Sequence, residues 1–460
     1  MSQATSTAQL KLIDVRAPLW RALLIIPVAL ACAGAFFAAR WYIGNTLAEF
    51  TPGVEQGGLE TTRRALGYAP GDPIAYWSAA NLELRSPDPA RMPEAVRLYE
   101  EAVRLSPNDY RLWLSLGQGR ERAGDAAGAE KALRRAIELS PNYARPRWYL
   151  GNMLLRAGRT DEAFVEMRRA ADGYPLVLRP HVFEAAWNVF NEDVKEIERV
   201  VGAEADTRAQ LAAFLAARGR AGDAVRLWMS LSAPEKHQQR EKGEELMRAL
   251  FGKRQFRAAQ ELARDLNLES AETVGQFANG GFETNIAAPN VSLFGWQVAP
   301  VAQVEVRIDA GQHRSGNRSL LIIFKGFAST NYHNIMQVVV VEPNTRYRFE
   351  GYVRTQDLKS GGTPLLEVAD TGDGKILGTS APFPIGRNEW QPVTFEFSTP
   401  EKTEGVYFRT NRAFCGEVCP IFGSIWYDDF NLQRLGASAG QDNSGAGRDR
   451  NDKAAAATAR

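Results

Sequence analysis

From Tyr76 to Val177, apolar and small residues recur in register every 34 residues. Leu82, Leu116 and Leu150 coincide, as do Ala95, Ala129 and Ala163; Tyr99, Leu133 and Met167; Ala102, Ala136 and Ala170; and Pro107, Pro141 and Pro175. Gly117 with Gly151 and Gly124 with Gly158 join the pattern in the second and third units, whereas Glu83 takes the place of the first of those glycines in unit one. Within each unit the apolar positions fall at helical spacing, so each predicts a pair of helices. Gly117, Ala129 and Ala136 are expected where axes approach to about 8 to 10 Å, with Leu116, Leu133, Leu150 and Met167 filling the space between. Pro141 and Pro175 are expected to stop the second helix of a pair, because proline cannot continue an interior turn. A unit of this kind needs neighbours stacked on both sides to bury its apolar face.

The 34-residue unit resembles the tetratricopeptide repeat, whose unit is two antiparallel helices and whose arrays are binding scaffolds. Clear repeats are expected at 76–109, 110–143 and 144–177, with Leu59 to Tyr68 as the second helix of an incomplete leading repeat. From Val182 to Val201 the helical spacing continues but the small residues fade. The pattern returns at Leu211, Gly219, Ala224 and Trp228, and again at Leu246, Phe256 and Ala259, so a solenoid of about a dozen helices is expected over 59–268.

Ala22 to Ala39 is a run of 18 residues without a charge. A helix of that length comes close to the roughly 30 Å hydrocarbon core of a bilayer. Trp20 on one side and Trp41 with Tyr42 on the other suit interfacial anchors. One transmembrane helix is expected over 22–42, followed by a juxtamembrane linker over 43–58. Lys11, Arg16 and Arg21 against Asp14 precede the run, while Arg40 is soon followed by Glu49 and Glu55, so the positive-inside rule puts residues 1–21 in the cytoplasm. The rest of the chain then lies outside an inner membrane of bacterial type. Two rivals to an uncleaved anchor are a cleaved signal peptide and a lipoprotein-type cut at Cys32, which follows Leu30 and Ala31.

After Ser270 the period changes to two, which marks a domain boundary. Val338 and Val340 alternate with Gln337 and Val339; Tyr347 and Phe349 with Arg348 and Glu350; Val393, Phe395 and Phe397 with Thr394 and Glu396; and Val406 and Phe408 with Tyr407 and Arg409. Such alternation predicts half-buried strands. Pro343-Asn344, Gly361-Gly362 and Gly386 supply turns between them, as in an antiparallel sandwich. The link to the helices is short and has no Gly/Ser tract, so the two parts are expected to move together.

Over 276–435 a second resemblance emerges. Asn279-Gly280-Gly281-Phe282-Glu283, Gly316-Asn317-Arg318-Ser319-Leu320, Val341-Glu342-Pro343-Asn344-Thr345-Arg346-Tyr347 and Trp426-Tyr427-Asp428-Asp429-Phe430 stand in the order of the galactose-binding-type jelly roll found in many carbohydrate-binding modules. That family often holds a structural calcium near the paired chain ends, and the matching positions here are Glu283 with Asp428 or Asp429; the bland reading is solvated charges at strand ends. Gly436 to Arg460 has no large aliphatic or aromatic residue and is expected to be a disordered tail. The fold expected is therefore multidomain α + β: one membrane helix, an α-solenoid and an antiparallel jelly roll.

Net charge is +1, from 55 basic and 54 acidic residues, so no general attraction to nucleic acid follows. His181, His237, His313 and His333 are too scattered for a metal cluster. No zincin helix, phosphate-binding loop, nucleophile elbow or dinucleotide fingerprint occurs, so no enzyme and no required cofactor are expected. Glu350 and Glu367 are carboxylates of the kind glycoside hydrolysis uses, but they are expected on an open sheet face rather than in a cleft. Cys415 and Cys419 flank Gly416 and, in an oxidising compartment, are expected to form a local disulfide, ahead of metal ligation or two free thiols.

Two binding surfaces are expected. If Tyr347, Phe349, Val406 and Phe408 point into the core, alternation puts Tyr352, Arg354, Glu350, Tyr407 and Arg409 on the other face, with Glu367 and Gln337 in the non-core phase of their own strands and Tyr332 at the rim. A ring flanked by such groups suits a pyranose, whose C–H face stacks while its hydroxyls bond to Arg, Glu or Gln. In the solenoid, Arg111 with Arg145, Leu114 with Trp148, Gln118 with Asn152 and Arg122 with Arg156 recur on the inner groove and suit an acidic or C-terminal peptide. The alternative in each case is an ordinary solvated face. The function expected is an envelope scaffold that binds protein through its repeats and glycan through its jelly roll, in exopolysaccharide or surface assembly. A purely structural interaction protein is the main rival, and an adhesin a weaker one.

Overall fold

The computed structural model describes residues 18–86, 88–268, 273–287, 291–329 and 332–437. Of the tail expected at 436–460, Gly436 and Ala437 instead end a strand, and the remainder lies outside the described residues, as do the charges at Lys11, Asp14 and Arg16 and the side chain of Trp20. The chain divides into two compact units, Met1–Gly202 and Ala203–Arg460. The division falls inside the helical region, not near Ser270 where the hydrophobic period changes.

The first unit holds α1 (Pro18–Glu49), α2 (Gly58–Tyr68), α3 (Pro73–Arg85), α4 (Met92–Leu105), α5 (Tyr110–Arg122), α6 (Ala126–Leu139), α7 (Ala144–Arg156), α8 (Thr160–Gly173), α9 (Pro175–Val189) and α10 (Val194–Val201). Consecutive helices from α3 to α8 pack as pairs, in the 34-residue frame expected. The repeating glycines explain the frame. A Cβ on Gly117 would stand 2.7 Å from Leu133 Cγ, and one on Gly151 would stand 2.7 Å from Met167 Cγ and 3.1 Å from Ala163 O. Each glycine thus lets a large residue of the partner helix sit against bare backbone. Gly124 and Gly158, at φ 83° and 77°, end α5 and α7 in the left-handed region that a side chain resists. Asp72 and Asp109 cap the following helices by accepting from Ile74 N and Arg111 N, both at 2.9 Å.

The expected linker at 43–58 is largely absent. Residues 43–49 continue α1, and a short 3-10 turn at Val54–Gln56 leads straight into α2. The side chains described from Ala22 to Ala39 are exposed, but from Arg40 onward the same helix begins to bury residues. Gly44 and Ala48 are buried, Ala48 against Ala65 and Ala75, and Ser78 Oγ donates to Ala48 O at 2.9 Å. The end of α1 is therefore the missing first helix of the leading repeat. The local apolar spacing could not reveal this, because the positions this stretch buries are the small Gly44 and Ala48, set among Arg40, Asn45, Thr46 and Glu49.

The second unit begins with α11 (Ala205–Ala217), α12 (Ala221–Met229), α13 (Ala233–Gln238), α14 (Arg240–Gly252) and α15 (Phe256–Asp265), in which α11 packs on α12 and α14 on α15. Ten strands follow: β1 (Gln297–Val298), β2 (Val304–Asp309), β3 (Ser319–Phe327), β4 (Ile335–Val340), β5 (Thr345–Lys359), β6 (Pro364–Asp370), β7 (Ile376–Thr379), β8 (Gly386–Ser398), β9 (Gly405–Arg412) and β10 (Ile421–Ala437). They make two antiparallel five-stranded sheets, in the orders β1-β4-β9-β6-β7 and β2-β3-β10-β5-β8. Leu320, Ile322, Tyr347, Phe349, Val353, Ile425, Tyr427 and Phe430 from the second sheet meet Ile335, Val339, Leu366, Val368, Val406 and Phe408 from the first. The helices and the sandwich are tied together. Gly405 fits under the Phe256 ring, Phe251 stacks edge-on against Phe294 at 5.2 Å, and Arg254 donates to Gly372 O.

Candidate functional site

On β9, Val406, Phe408 and Thr410 face the core, which turns Tyr407, Arg409 and Asn411 outward. Glu367 on β6 is the direct partner of Arg409, so the two meet across the ladder on the outer face of the first sheet. Arg409 Nε donates to Glu367 Oε1 at 2.7 Å and Asn411 Nδ2 donates to Oε2 at 2.9 Å. Both carboxylate oxygens are engaged and the side chain is nearly buried, at 2 % exposure. His333 stands close, with Nε2 at 3.8 Å from Oε1. Burial, then the Arg409 charge, hold the His333 imidazole below its ordinary pKa, so it is neutral at neutral pH.

Beside this cluster a cavity of about 330 Å³ opens between Tyr407, Met336 and Val338 on the sheet, His333 and Asn334 at the strand start, and the segment Ser292–Ala299, with Phe251 of α14 at its wall. Its volume lies near the lower end for ligand sites. Asn334 is 6 % exposed, its amide nitrogen donates to Ala299 O at 3.3 Å, and its Oδ1 has no partner among the described residues. That oxygen is itself out of reach of solvent, so Asn334 braces the cavity wall instead of offering the acceptor to the cavity.

In the first unit a cavity of about 680 Å³ is lined by Gln118, Glu121 and Arg122 of α5 and Arg145, Trp148, Tyr149, Asn152 and Arg156 of α7. Glu121 binds Arg156, with Nε to Oε1 at 3.0 Å, so that arginine is neutralised. Arg122 and Arg145 are exposed, and among the described residues neither has a carboxylate within ion-pair distance. Trp148, with His181 of α9 at 6.3 Å between centroids, gives the groove an aromatic floor.

Residues 91–144 and 114–176 match the tetratricopeptide repeat model, and residues 274–413 match the carbohydrate binding domain model. Each model matches less than half of the chain, one in the helical part and one in the sandwich. Comparison with curated proteins returns no match. Among solved structures the chain is similar to YrrB, "a TPR protein with an unusual peptide-binding site", at 18 % identity over 40 % of this chain and 83 % of that one, with a TM-score of 0.27. It is similar to a CBM4 structure at 14 % identity over 34 % and 97 %, with a TM-score of 0.26. The CBM22-1 xylan-binding domain from Paenibacillus barcinonensis Xyn10C is matched at 15 % identity over 34 % and 94 %, with a TM-score of 0.24.

The sandwich does not gather all eight expected glycan residues. Tyr407, Arg409 and Glu367 share the outer face of the first sheet. Tyr352, Arg354 and Glu350 lie on β5, outward as expected, but on the second sheet and hence on the opposite side of the sandwich. There Tyr352 and Arg354 have partners of their own. The Arg314 guanidinium lies 3.5 Å from the Tyr352 ring centroid, and Arg354 is buried against Trp426 and paired with Glu389. Glu350 and Glu367 therefore share no site. Gln337 is 0 % exposed and in the core phase with Ile335 and Val339, its Nε2 donating to Ala278 O at 2.8 Å. Tyr332 is core too, at 1 % exposure, between Phe324 and Phe327. Sequence reasoning missed His333, Asn334 and Gln297 on the cavity wall, because they sit on loops or a two-residue strand with no readable period.

The tryptophans of the sandwich divide, and Trp296 is in the core. Trp426 is buried on the outer face of the second sheet, with Nε1 donating to Asp309 Oδ2 at 2.8 Å, and Trp390 is half-exposed on β8. In the repeats, Leu114 is buried with Ala129 and Leu133 rather than facing the groove, and Arg111 is held by Asp109 at the start of α5.

The residues Glu283, Asp428 and Asp429 do not fit a calcium ion. Asn317 N and Arg318 N donate to Glu283, Arg314 N and Ser315 N to Asp428, and the Arg314 guanidinium and Ser315 Oγ to Asp429. Donors and a cation already face these oxygens, which is the reverse of a ligand shell. No group of three His, Cys, Asp or Glu suited to a metal occurs among the described residues. The loop 314–318 does the stapling instead. Burial raises the Asp428 pKa against the N–H bonds that lower it.

Cys415 and Cys419 are joined as a disulfide, with Cα atoms 5.9 Å apart. The buried Arg412 braces the same loop, donating to Cys419 O at 2.8 Å, Ser329 O at 2.7 Å and Gly362 O at 3.0 Å. Cys32 is exposed on α1.

Proposed function

We propose that this chain is a membrane-anchored scaffold that binds glycan on the outer face of the first sheet and a protein partner in the groove of its repeats. The carrying observation is the constellation around Tyr407: an outward ring beside a fixed Glu367–Arg409–Asn411 cluster and a neutral His333, at the wall of a cavity of about 330 Å³. A pyranose offers that cavity an apolar face for the ring and hydroxyls for the imidazole and guanidinium. Glu367 serves as a fixed acceptor that orients Arg409. The test is a glycan array with the detergent-solubilised full chain, where binding weakened by Tyr407→Ala supports the reading and no binding overturns it.

Arg122 and Arg145 beside Trp148 suit a partner segment with acidic side chains or a free C-terminal carboxylate. A double Arg122→Glu and Arg145→Glu variant losing capture of such a peptide supports this, and unchanged capture overturns it. The apolar part of α1 is long and apolar enough to cross a membrane. With its basic flank before the run, an anchor with a cytoplasmic N-terminus and extracytoplasmic repeats and sandwich follows. Exopolysaccharide or surface assembly is the role that joins these three parts.

One observation favours a second reading, a purely structural interaction protein. Phe251 and the segment Ser292–Ala299 already wall one side of the sheet face. In that case sugars fail to bind at all, and Tyr407→Ala acts on stability alone.

A further inference from the structure

Besides the groove and the apolar helix α1, the first unit exposes five large apolar side chains along one edge, against Phe50 and Val189 at turns of the other. Tyr68 closes α2, Tyr143 precedes α7, and Tyr174, Leu176 and Val177 surround the start of α9; all five are exposed, Leu176 at 80 %. Each sits where the second helix of one pair turns into the first helix of the next. In a stack of antiparallel pairs those turns lie along one edge, while the turns within pairs lie along the other. The Tyr110 and Tyr143 rings, 5.0 Å apart, show that successive turns of this edge touch.

The membrane helix fixes which way this edge points. Because α2 runs back along α1, its end returns to the level of Arg40, the first charge after the uncharged run. Arg40 Nη2 donates to Gly67 O at 2.7 Å, and a Cβ on Gly44 would stand 2.5 Å from Ala69 Cβ. Trp41 and Tyr42, both exposed, directly follow Arg40, and Tyr68 directly follows the Gly67 that Arg40 binds. No flexible segment separates the apolar helix from the repeats.

We infer that the edge carrying Tyr68, Tyr143, Tyr174, Leu176 and Val177 lies in the headgroup zone of the bilayer that α1 crosses. This rests on the membrane reading above. Tyrosine and apolar side chains at that depth bury their bodies at the acyl boundary and keep their polar tips wet. The repeats are thus laid along the membrane by a stiff helix and a row of aromatic contacts, instead of swinging on a tether.

The test uses the full chain in lipid nanodiscs with Cys32 replaced by Ala and the Cys415–Cys419 disulfide kept oxidised. Single cysteines at positions 37, 68, 143, 176 and 157 carry a fluorophore, and lipids carrying a spin label near the headgroup quench it. Ala157 is the control, since it lies in the turn between α7 and α8 on the opposite edge. The expected result is quenching at 68, 143 and 176 at least about twofold stronger than at 157. Quenching at 37 with none above the control at 143 and 176 overturns the edge proposal while leaving the anchor intact. No quenching at 37 overturns the anchor, and the edge proposal with it. A Gly44→Leu variant, which forces α1 away from Ala69, should lose the signal at 143 and 176 but keep it at 37; retention of all three signals would show that the edge is not held through α1.

Discussion

Arg409 and Glu367 are direct cross-strand partners, joined at 2.7 Å on a sheet face where the carboxylate is almost wholly out of water. Such a pair is costly to break, because the remaining charge has no solvent to turn to. Glu367→Gln keeps the shape but leaves the Arg409 guanidinium without its counter-charge. It should cost about 1.5 to 3 kcal/mol in denaturant unfolding followed by tryptophan fluorescence. The paired change Glu367→Gln with Arg409→Met should recover part of that loss, and strict additivity would contradict the coupling.

His333 gives the sandwich a pH dependence. Its folded pKa lies below the ordinary value of 6.5, set by burial and Arg409 against Glu367 and Asn411. The unfolded chain therefore takes up the proton first as pH falls. Stability is full above about 6.5 and declines from there toward the folded pKa. Thermal melts across that window should show a falling Tm, flattened in His333→Gln. An equal slope in the variant would remove His333 as the cause.

The repeat frame rests on bare backbone at Gly117 and Gly151. Gly151→Val adds atoms where Ala163 O is already near, so about 1 to 3 kcal/mol should be lost by overpacking. Gly53, with open space around it, is the matched control. Unfolding curves for Gly151→Val and Gly53→Ala that coincide would show that the crossing is looser than it looks.

For the three carboxylates near the chain ends, loop donors replace a cation. A chelator should leave the Tm unchanged, whereas Asp428→Asn, which turns an amide toward Arg314 N or Ser315 N, should cost about 1 to 3 kcal/mol. A chelator-dependent Tm would restore the metal.

The fold was legible because its signals are periodic. The 34-residue register located α3 to α8, and alternation correctly turned Phe349 and Phe408 inward and Tyr352 and Tyr407 outward. Alternation reports in or out, however, and not which sheet. β5 and β9 belong to different sheets, so one expected face became two. From Val338 to Val341 the run in and after β4 is apolar in both phases, so the phase read with Gln337 outward was inverted: Gln337 and Val339 are core, and Val338 lines the outer cavity. The rest of the site depends on loops brought together by packing, such as His333 and Asn334 against Phe251 of α14, and no local spacing encodes that.

The proposal that the first sheet is the glycan face is tested most directly by isothermal titration of the full chain with the oligosaccharide chosen by the array. Tyr407→Ala should weaken binding by roughly 2- to 10-fold from lost stacking, while Tyr352→Ala on the opposite sheet leaves it unchanged. Binding that survives Tyr407→Ala but falls with Tyr352→Ala would contradict the assignment.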